Sequence, residues 1–168
     1  IGAAVQVARA VFDGPYDLMA ALGHGRSYGR ANWVLGRWLP AIINCQMWDD
    51  LANRRAQEAH GDDAAVMPTH ALVTDVGNDI LYGATPEQIA KWVEVCVTRL
   101  QAQDCAITLT GIPLESLDRI TSWEFPIFRS ILYPGCFLTR KQALSCAAEL
   151  IEILSQLAQQ RGLRFVQP

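Results

Sequence analysis

The sequence predicts a three-layer α/β/α domain built around a mostly parallel β-sheet. Short apolar runs alternate with amphipathic helical segments along the chain, and two of those segments begin with complete capping signals. Strands that alternate with helices are joined by right-handed crossovers, which cover both faces of a parallel sheet. Ligands are therefore expected at the loops that follow the carboxyl ends of the strands.

The first half of the chain predicts three strands and two helices. Apolar runs bounded by glycine, proline or polar residues indicate the strands, and apolar residues at helical spacing indicate the helices. In order, the predicted elements are strand Leu18–Leu22, helix Tyr28–Leu39, strand Ala41–Cys45, helix Met47–His60 and strand Ala71–Val76.

The second half contains the clearest signals. Thr85-Pro86-Glu87-Gln88 and Thr139 with Gln142 are N-terminal capping sequences, and each is followed by an apolar stripe that ends near Leu100 or at Gly162. Strands are predicted at Ala106–Ile112 and Leu163–Val166, whereas residues 114–138 are irregular and rich in large apolar groups.

Composition limits the classes of function. The 168 residues are 51% hydrophobic and 18% charged, as expected for one globular domain. The net charge of −3 does not favour binding to nucleic acid or to an anionic membrane. The five cysteines form no CxxC pair, so neither a disulfide framework nor a metal site is expected, and no cofactor is predicted. No segment reads as a membrane span or a signal peptide, which favours a cytoplasmic location.

A glycine-dense turn supplies the candidate nucleophile. Gly23, Gly25 and Gly29 surround Ser27 immediately after the first predicted strand. Glycine permits positive φ angles and close backbone approach, so a serine at such a corner can stand clear of the sheet.

Two blocks of sequence resemble the SGNH (GDSL-type) hydrolases. Gly25-Arg26-Ser27 is similar to their GDS block, and Val76-Gly77-Asn78-Asp79, after the third predicted strand, is similar to their GxND block. Asn44-Cys45-Gln46 falls where that family places its glycine block. The resemblance spans Asp17 to Val166 and implies a flavodoxin-like fold with a five-stranded, mostly parallel sheet.

The resemblance implies hydrolysis of an ester or acyl group, with a small-molecule, glycan or lipid ester as substrate. Ser27 would attack the carbonyl carbon, and its backbone N–H, the side-chain amide of Asn78 and the backbone N–H of Gln46 would form the oxyanion hole. Gly25, Gly77 and Asp79 would support the loops, and His24 and Arg26 would contact substrate.

The chain departs from the family pattern at three places. Arg26 replaces the acidic residue of GDS, Val76 replaces the first glycine of GxND, and the DxxH block that supplies the catalytic acid and base is absent. His60 and His70 are expected at the wrong side of the sheet, since a strand of eight residues puts His70 about 25 Å from Asn78. We therefore expect residues 1–168 to be one domain, truncated before a DxxH loop.

Other interpretations remain open. Gly25-Arg26-Ser27-Tyr28-Gly29 matches the GxSxG elbow of α/β-hydrolases, but too few strands precede it. A nucleotide site at the same glycines has the spacing GxGxxxG rather than GxGxxG. The third alternative is a non-catalytic binding or structural subunit that keeps the hydrolase fold. The aromatic segment 123–137 would then contact a protein partner. In the hydrolase it would line the acyl pocket or act as a lid, and its other interpretation is ordinary packing over the sheet edge.

Overall fold

The computed structural model describes residues 6, 9–11, 16–21, 23, 25–34, 36–59, 68–115, 123–133 and 135–168. Five strands and five α-helices are defined within them, together with a 3-10 turn at Ile42–Asn44. In chain order the elements are β1 Asn32–Val34, β2 Arg37–Leu39, α1 Met47–Ala59, β3 His70–Val73, α2 Asn78–Leu81, α3 Pro86–Gln101, β4 Ala106–Thr110, α4 Glu124–Leu132, α5 Arg140–Arg161 and β5 Arg164–Val166.

The central sheet is parallel and has the strand order β3-β4-β5. Its register aligns Val73 with Leu109 and Leu109 with Phe165, so these three side chains point to the same face. That face packs against α3 and α5, and the shared core is almost entirely aliphatic. Its fully buried members include Val76, Ile89, Val93, Val97, Leu109, Leu150 and Leu154.

The ends of α3 and α5 follow from local sequence. Thr85 and Thr139 each accept a hydrogen bond from the backbone of the glutamine three residues later, and each glutamine side chain bonds back to the cap. Gly162 ends α5 in the left-handed conformation with φ of 66°. Both helices and the strands β3, β4 and β5 are thus confirmed close to their predicted positions.

The mixed α/β class is confirmed, but the predicted five-stranded sandwich is wrong for the described residues. Residues 18–21 form no strand, and Leu18 and Met19 are exposed, so this apolar run does not join the core. The strand expected at Ala41–Cys45 is also absent. The N–H groups of Ile42 and Ile43 bond to the carbonyls of Ser27 and Tyr28 instead of a sheet ladder, which explains the 3-10 turn there.

The helix predicted over Tyr28–Leu39 is a β-hairpin. Strands β1 and β2 pair antiparallel around Gly36, whose φ of 75° suits a tight turn. Trp33 and Trp38 face each other across the hairpin with ring centroids 5.8 Å apart, and both are largely exposed. The cross-strand aromatic pair stabilises the hairpin, whereas Gly36 would weaken a helix over the same residues.

The aromatic segment 123–137 is partly helical. Phe125, Tyr133 and Cys136 are buried, whereas Trp123 and Phe137 are exposed. Its predicted role as a partner surface stays a prediction. The helices within the described ranges include none with the length and apolarity needed to cross a membrane.

Candidate functional site

Ser27 lies at the centre of a hydrogen-bond hub between the 25–30 turn and α2. Its hydroxyl donates to Oδ1 of Asp79 and accepts from the backbone N–H groups of Gly29, at 3.2 Å, and Arg30, at 2.9 Å. A serine hydroxyl has one donor and two acceptor sites, so all of them are used. The side chain is completely buried.

Asp79 joins two segments that are distant in sequence. It is fully buried in the first turn of α2, and its second carboxylate oxygen accepts from the backbone N–H of Tyr28 at 2.8 Å. Burial raises the pKa of the Asp79 carboxyl, and the hydrogen bonds from Ser27 and Tyr28 oppose that rise. The carboxylate therefore holds the serine turn against the loop that follows β3.

Asn78 is the first residue of α2 and lies beside this hub. Its amide nitrogen Nδ2 donates to the backbone carbonyl of Asp75 at 3.2 Å, and its oxygen Oδ1 accepts from the Tyr133 hydroxyl at 3.0 Å. Asp75 has a positive φ of 58°, an uncommon conformation for a residue with a side chain. The loop from β3 to α2 thus aims the carbonyl of Asp75 at the Asn78 amide.

Two tyrosines close over Gly25. The Tyr82 hydroxyl donates to the Gly25 carbonyl at 2.7 Å, and the rings of Tyr82 and Tyr133 meet edge to face with centroids 5.0 Å apart. Gly25 has φ of 64°, and an added Cβ would lie 3.3 Å from both hydroxyl oxygens. Glycine is therefore favoured at this position of the turn, because another residue would strain the backbone and crowd the two hydroxyl groups.

Gly77 precedes Asn78 and packs closely on a neighbouring segment. An added Cβ would lie 3.2 Å from the Ile112 side chain, so the loop approaches the end of β4 tightly. The predicted loop-supporting residues Gly25, Gly77 and Asp79 all lie around Ser27 and Asn78.

The side chains of Arg26 and Gln46 contact other parts of the structure. The Arg26 guanidinium is largely buried, and its Nε donates to the Pro40 carbonyl at 2.9 Å. Arg26 and Gln46 both line a cavity of about 430 Å³, and neither Ser27 nor Asn78 contributes to its lining. The predicted contribution of the Gln46 backbone N–H to the oxyanion hole stays a prediction.

The histidines contribute no base among the described residues. His24 and His60 lie outside them, and His70 begins β3, at the opposite end of that strand from Asn78. No group of three or more His, Cys, Asp and Glu residues that could hold a metal ion occurs within the described ranges.

Sequence reasoning missed Asp75, Tyr82 and Tyr133. Asp75 immediately precedes the recognised Val76-Gly77-Asn78-Asp79 block, but its positive φ has no sequence signature. Tyr133 lies in the aromatic segment, and the general apolarity of that segment gave no indication that the Tyr133 hydroxyl bonds to Asn78.

The chain is thus a mixed α/β protein in which Ser27 bonds to the Asp79 carboxylate, and Asp79 follows the carboxyl end of the parallel strand β3. Comparison with protein-family models, curated proteins and solved structures found no match.

Proposed function

We propose that the chain is a serine hydrolase of esters or of acyl and acetyl groups, acting through an acyl-serine intermediate at Ser27. The observation that carries the proposal is the hydrogen bond from the Ser27 hydroxyl to Asp79, which is 52 positions away and directly follows Asn78 in the sequence. The cluster follows the carboxyl end of β3, where parallel sheets usually bind ligands.

The proposed chemistry assigns a role to each group. The Ser27 oxygen adds to the ester carbonyl carbon while its proton passes to Asp79, whose raised pKa makes the carboxylate a stronger base than an exposed aspartate. The Asn78 amide and the Ser27 N–H donate to the oxyanion. The proton then transfers to the leaving alcohol, and water releases the acyl group from Ser27.

Access of substrate requires a conformational step. Ser27 is fully buried in the described conformation, and both of its acceptor sites are occupied by the N–H groups of Gly29 and Arg30. The 28–30 turn must open to admit a carbonyl group, so this arrangement is the resting state of the proposed enzyme.

A second candidate function is a non-catalytic binding or structural subunit. The complete burial and full hydrogen bonding of Ser27 favour it, because a serine with those contacts stabilises a fold without chemistry. The two candidates differ in whether Ser27 ever reacts.

The deciding experiment is labelling with a fluorophosphonate probe, followed by peptide mapping and by hydrolysis of p-nitrophenyl acetate. The hydrolase predicts an adduct on Ser27 and turnover that disappears in both Ser27→Ala and Asp79→Asn. Ser145→Ala is the matched control, since Ser145 is an exposed serine on α5. Circular dichroism must show that each variant is folded. Absence of both adduct and turnover in the folded wild-type chain would leave the binding function.

A further inference from the structure

Tyr133 is linked to the candidate site through one hydrogen bond. It follows the end of α4, where its backbone N–H donates to the Arg129 carbonyl at 2.7 Å, and its side chain is buried. Its hydroxyl reaches Oδ1 of Asn78 at 3.0 Å, and its ring packs on Tyr82. Tyr133 thus lies at the edge of the cluster without contacting Ser27 directly.

The hydrogen bonds of the Asn78 side chain determine the positions of its amide nitrogen and its amide oxygen. The Asp75 carbonyl can only accept a hydrogen bond, so the amide nitrogen must face it. The amide oxygen must then face Tyr133, whose hydroxyl donates. Burial raises the pKa of Tyr133 to about 12, which keeps this donor protonated at neutral pH.

The same orientation determines where the remaining amide hydrogen points. Of the two hydrogens on Nδ2, one bonds to Asp75, and the other has no acceptor among the described residues. A rotation of the amide by 180° would place Oδ1 against the Asp75 carbonyl oxygen, which is repulsive. The two contacts together hold an N–H group in one direction.

We propose that Tyr133 is a positioning residue, which orients the Asn78 amide so that its N–H is presented to the oxyanion. This inference rests on the proposed hydrolase function. Tyr133 itself touches no reacting atom and acts through Asn78. Tyr82 provides the matched comparison, because it carries the same hydroxyl in the same ring pair but bonds to Gly25 instead.

The test is a double-mutant cycle on Ser27-dependent hydrolysis of p-nitrophenyl acetate. Asn78→Ala should lower kcat by about 10²-fold to 10³-fold, as removal of an oxyanion donor does. Tyr133→Phe should lower kcat by about fivefold, which corresponds to the loss of one hydrogen bond. KM should be nearly unchanged, because the interaction is used in the transition state. In the Asn78→Ala background, Tyr133→Phe should have no further effect.

Tyr82→Phe is the control that distinguishes positioning of the Asn78 amide from general stabilisation of the turn. Its effect on kcat should be the same with and without Asn78, because its hydroxyl does not contact that residue. An equal loss from Tyr133→Phe in both backgrounds, or no loss in the wild-type background, would overturn the positioning role and leave the hydrolase intact. Absence of Ser27-dependent turnover in the wild-type chain would overturn both.

Discussion

Replacing Ser27 with alanine tests the hydrogen-bond hub independently of catalysis. The substitution removes three hydrogen bonds at once, one to the Asp79 carboxylate and two from the N–H groups of Gly29 and Arg30. The bond to the buried carboxylate contributes about 1.5 to 3 kcal/mol, and the two N–H groups lie where water reaches them in part, so they add less. We expect a total loss of about 3 kcal/mol in the free energy of unfolding.

The loss should depend on pH in a defined direction. Removal of the Ser27 donor eliminates an interaction that lowers the pKa of Asp79, so the folded-state pKa rises further. A raised carboxyl pKa means that stability is present at low pH and is lost as pH rises through the folded-state value. Ser27→Ala should therefore be more destabilising at pH 8 than at pH 4.

Urea unfolding followed by circular dichroism measures both effects. In a thermal melt, a loss of about 3 kcal/mol in the free energy of unfolding corresponds to a fall in melting temperature of about 6 to 12 °C for a domain of this size. Ser145→Ala, at an exposed position, should change stability by less than about 0.5 kcal/mol. If Ser27→Ala were as stable as this control at pH 8, the hydrogen bonds of Ser27 would not contribute to the stability of the fold.

Three further substitutions probe the site and the core. The stability of the wild-type chain should fall as pH rises from the ordinary Asp79 value of 3.8 through its raised folded-state pKa, and Asp79→Asn should remove this decline in urea unfolding measured from pH 4 to 8. Gly29→Ala should destabilise by about 1 to 3 kcal/mol, because the new methyl group overlaps the Trp92 ring. Gly135→Ala, which meets no atom within 4 Å, is its control, and equal melting temperatures for the two would contradict the overlap. Leu150→Ala, in the fully buried core, should cost about 2 to 5 kcal/mol, whereas Leu72→Ala, 65% exposed, should be nearly neutral in the same assay.

The helices α3 and α5 were predictable because their determinants are local. A capping box, a proline in the first turn or a terminal glycine acts on neighbouring residues, so the sequence around Thr85 or Gly162 is sufficient. Strands β3, β4 and β5 were predictable for a related reason. Each is a short apolar run that pairs in parallel, and β4 and β5 come soon after the capped helices α3 and α5.

The region from Leu18 to Cys45 was not predictable in the same way. The N–H groups of Ile42 and Ile43 bond to the Ser27 turn, a contact between segments that local propensity does not describe. The spacing that suggested a helix from Tyr28 to Leu39 fits a hairpin once Trp33 pairs with Trp38. In both cases, contacts between segments determine the backbone conformation, although the local sequence weakly favours a different one.

In the candidate site too, some residues could be identified from local sequence, whereas others depend on contacts between distant segments. Asn78 and Asp79 were identified because their block follows a well-defined strand, and the structure brings Asp79 onto Ser27. The bond from Tyr133 to Asn78 joins residues 55 positions apart through a segment of irregular sequence, so no motif reveals it. The strained backbone of Asp75 is likewise a property of the folded loop.

In the proposed mechanism, the stability of the turn and the reactivity of Ser27 compete. The contacts that bury its hydroxyl stabilise the turn, and the proposed acyl transfer needs at least one of the N–H bonds from Gly29 and Arg30 to break. A site of this kind reacts only in the fraction of molecules whose turn is open, so the opening free energy adds to the barrier for the chemical step. Loosening the turn without removing Ser27 should consequently lower stability and raise the rate of labelling together. A purely structural serine would show only the first of these effects.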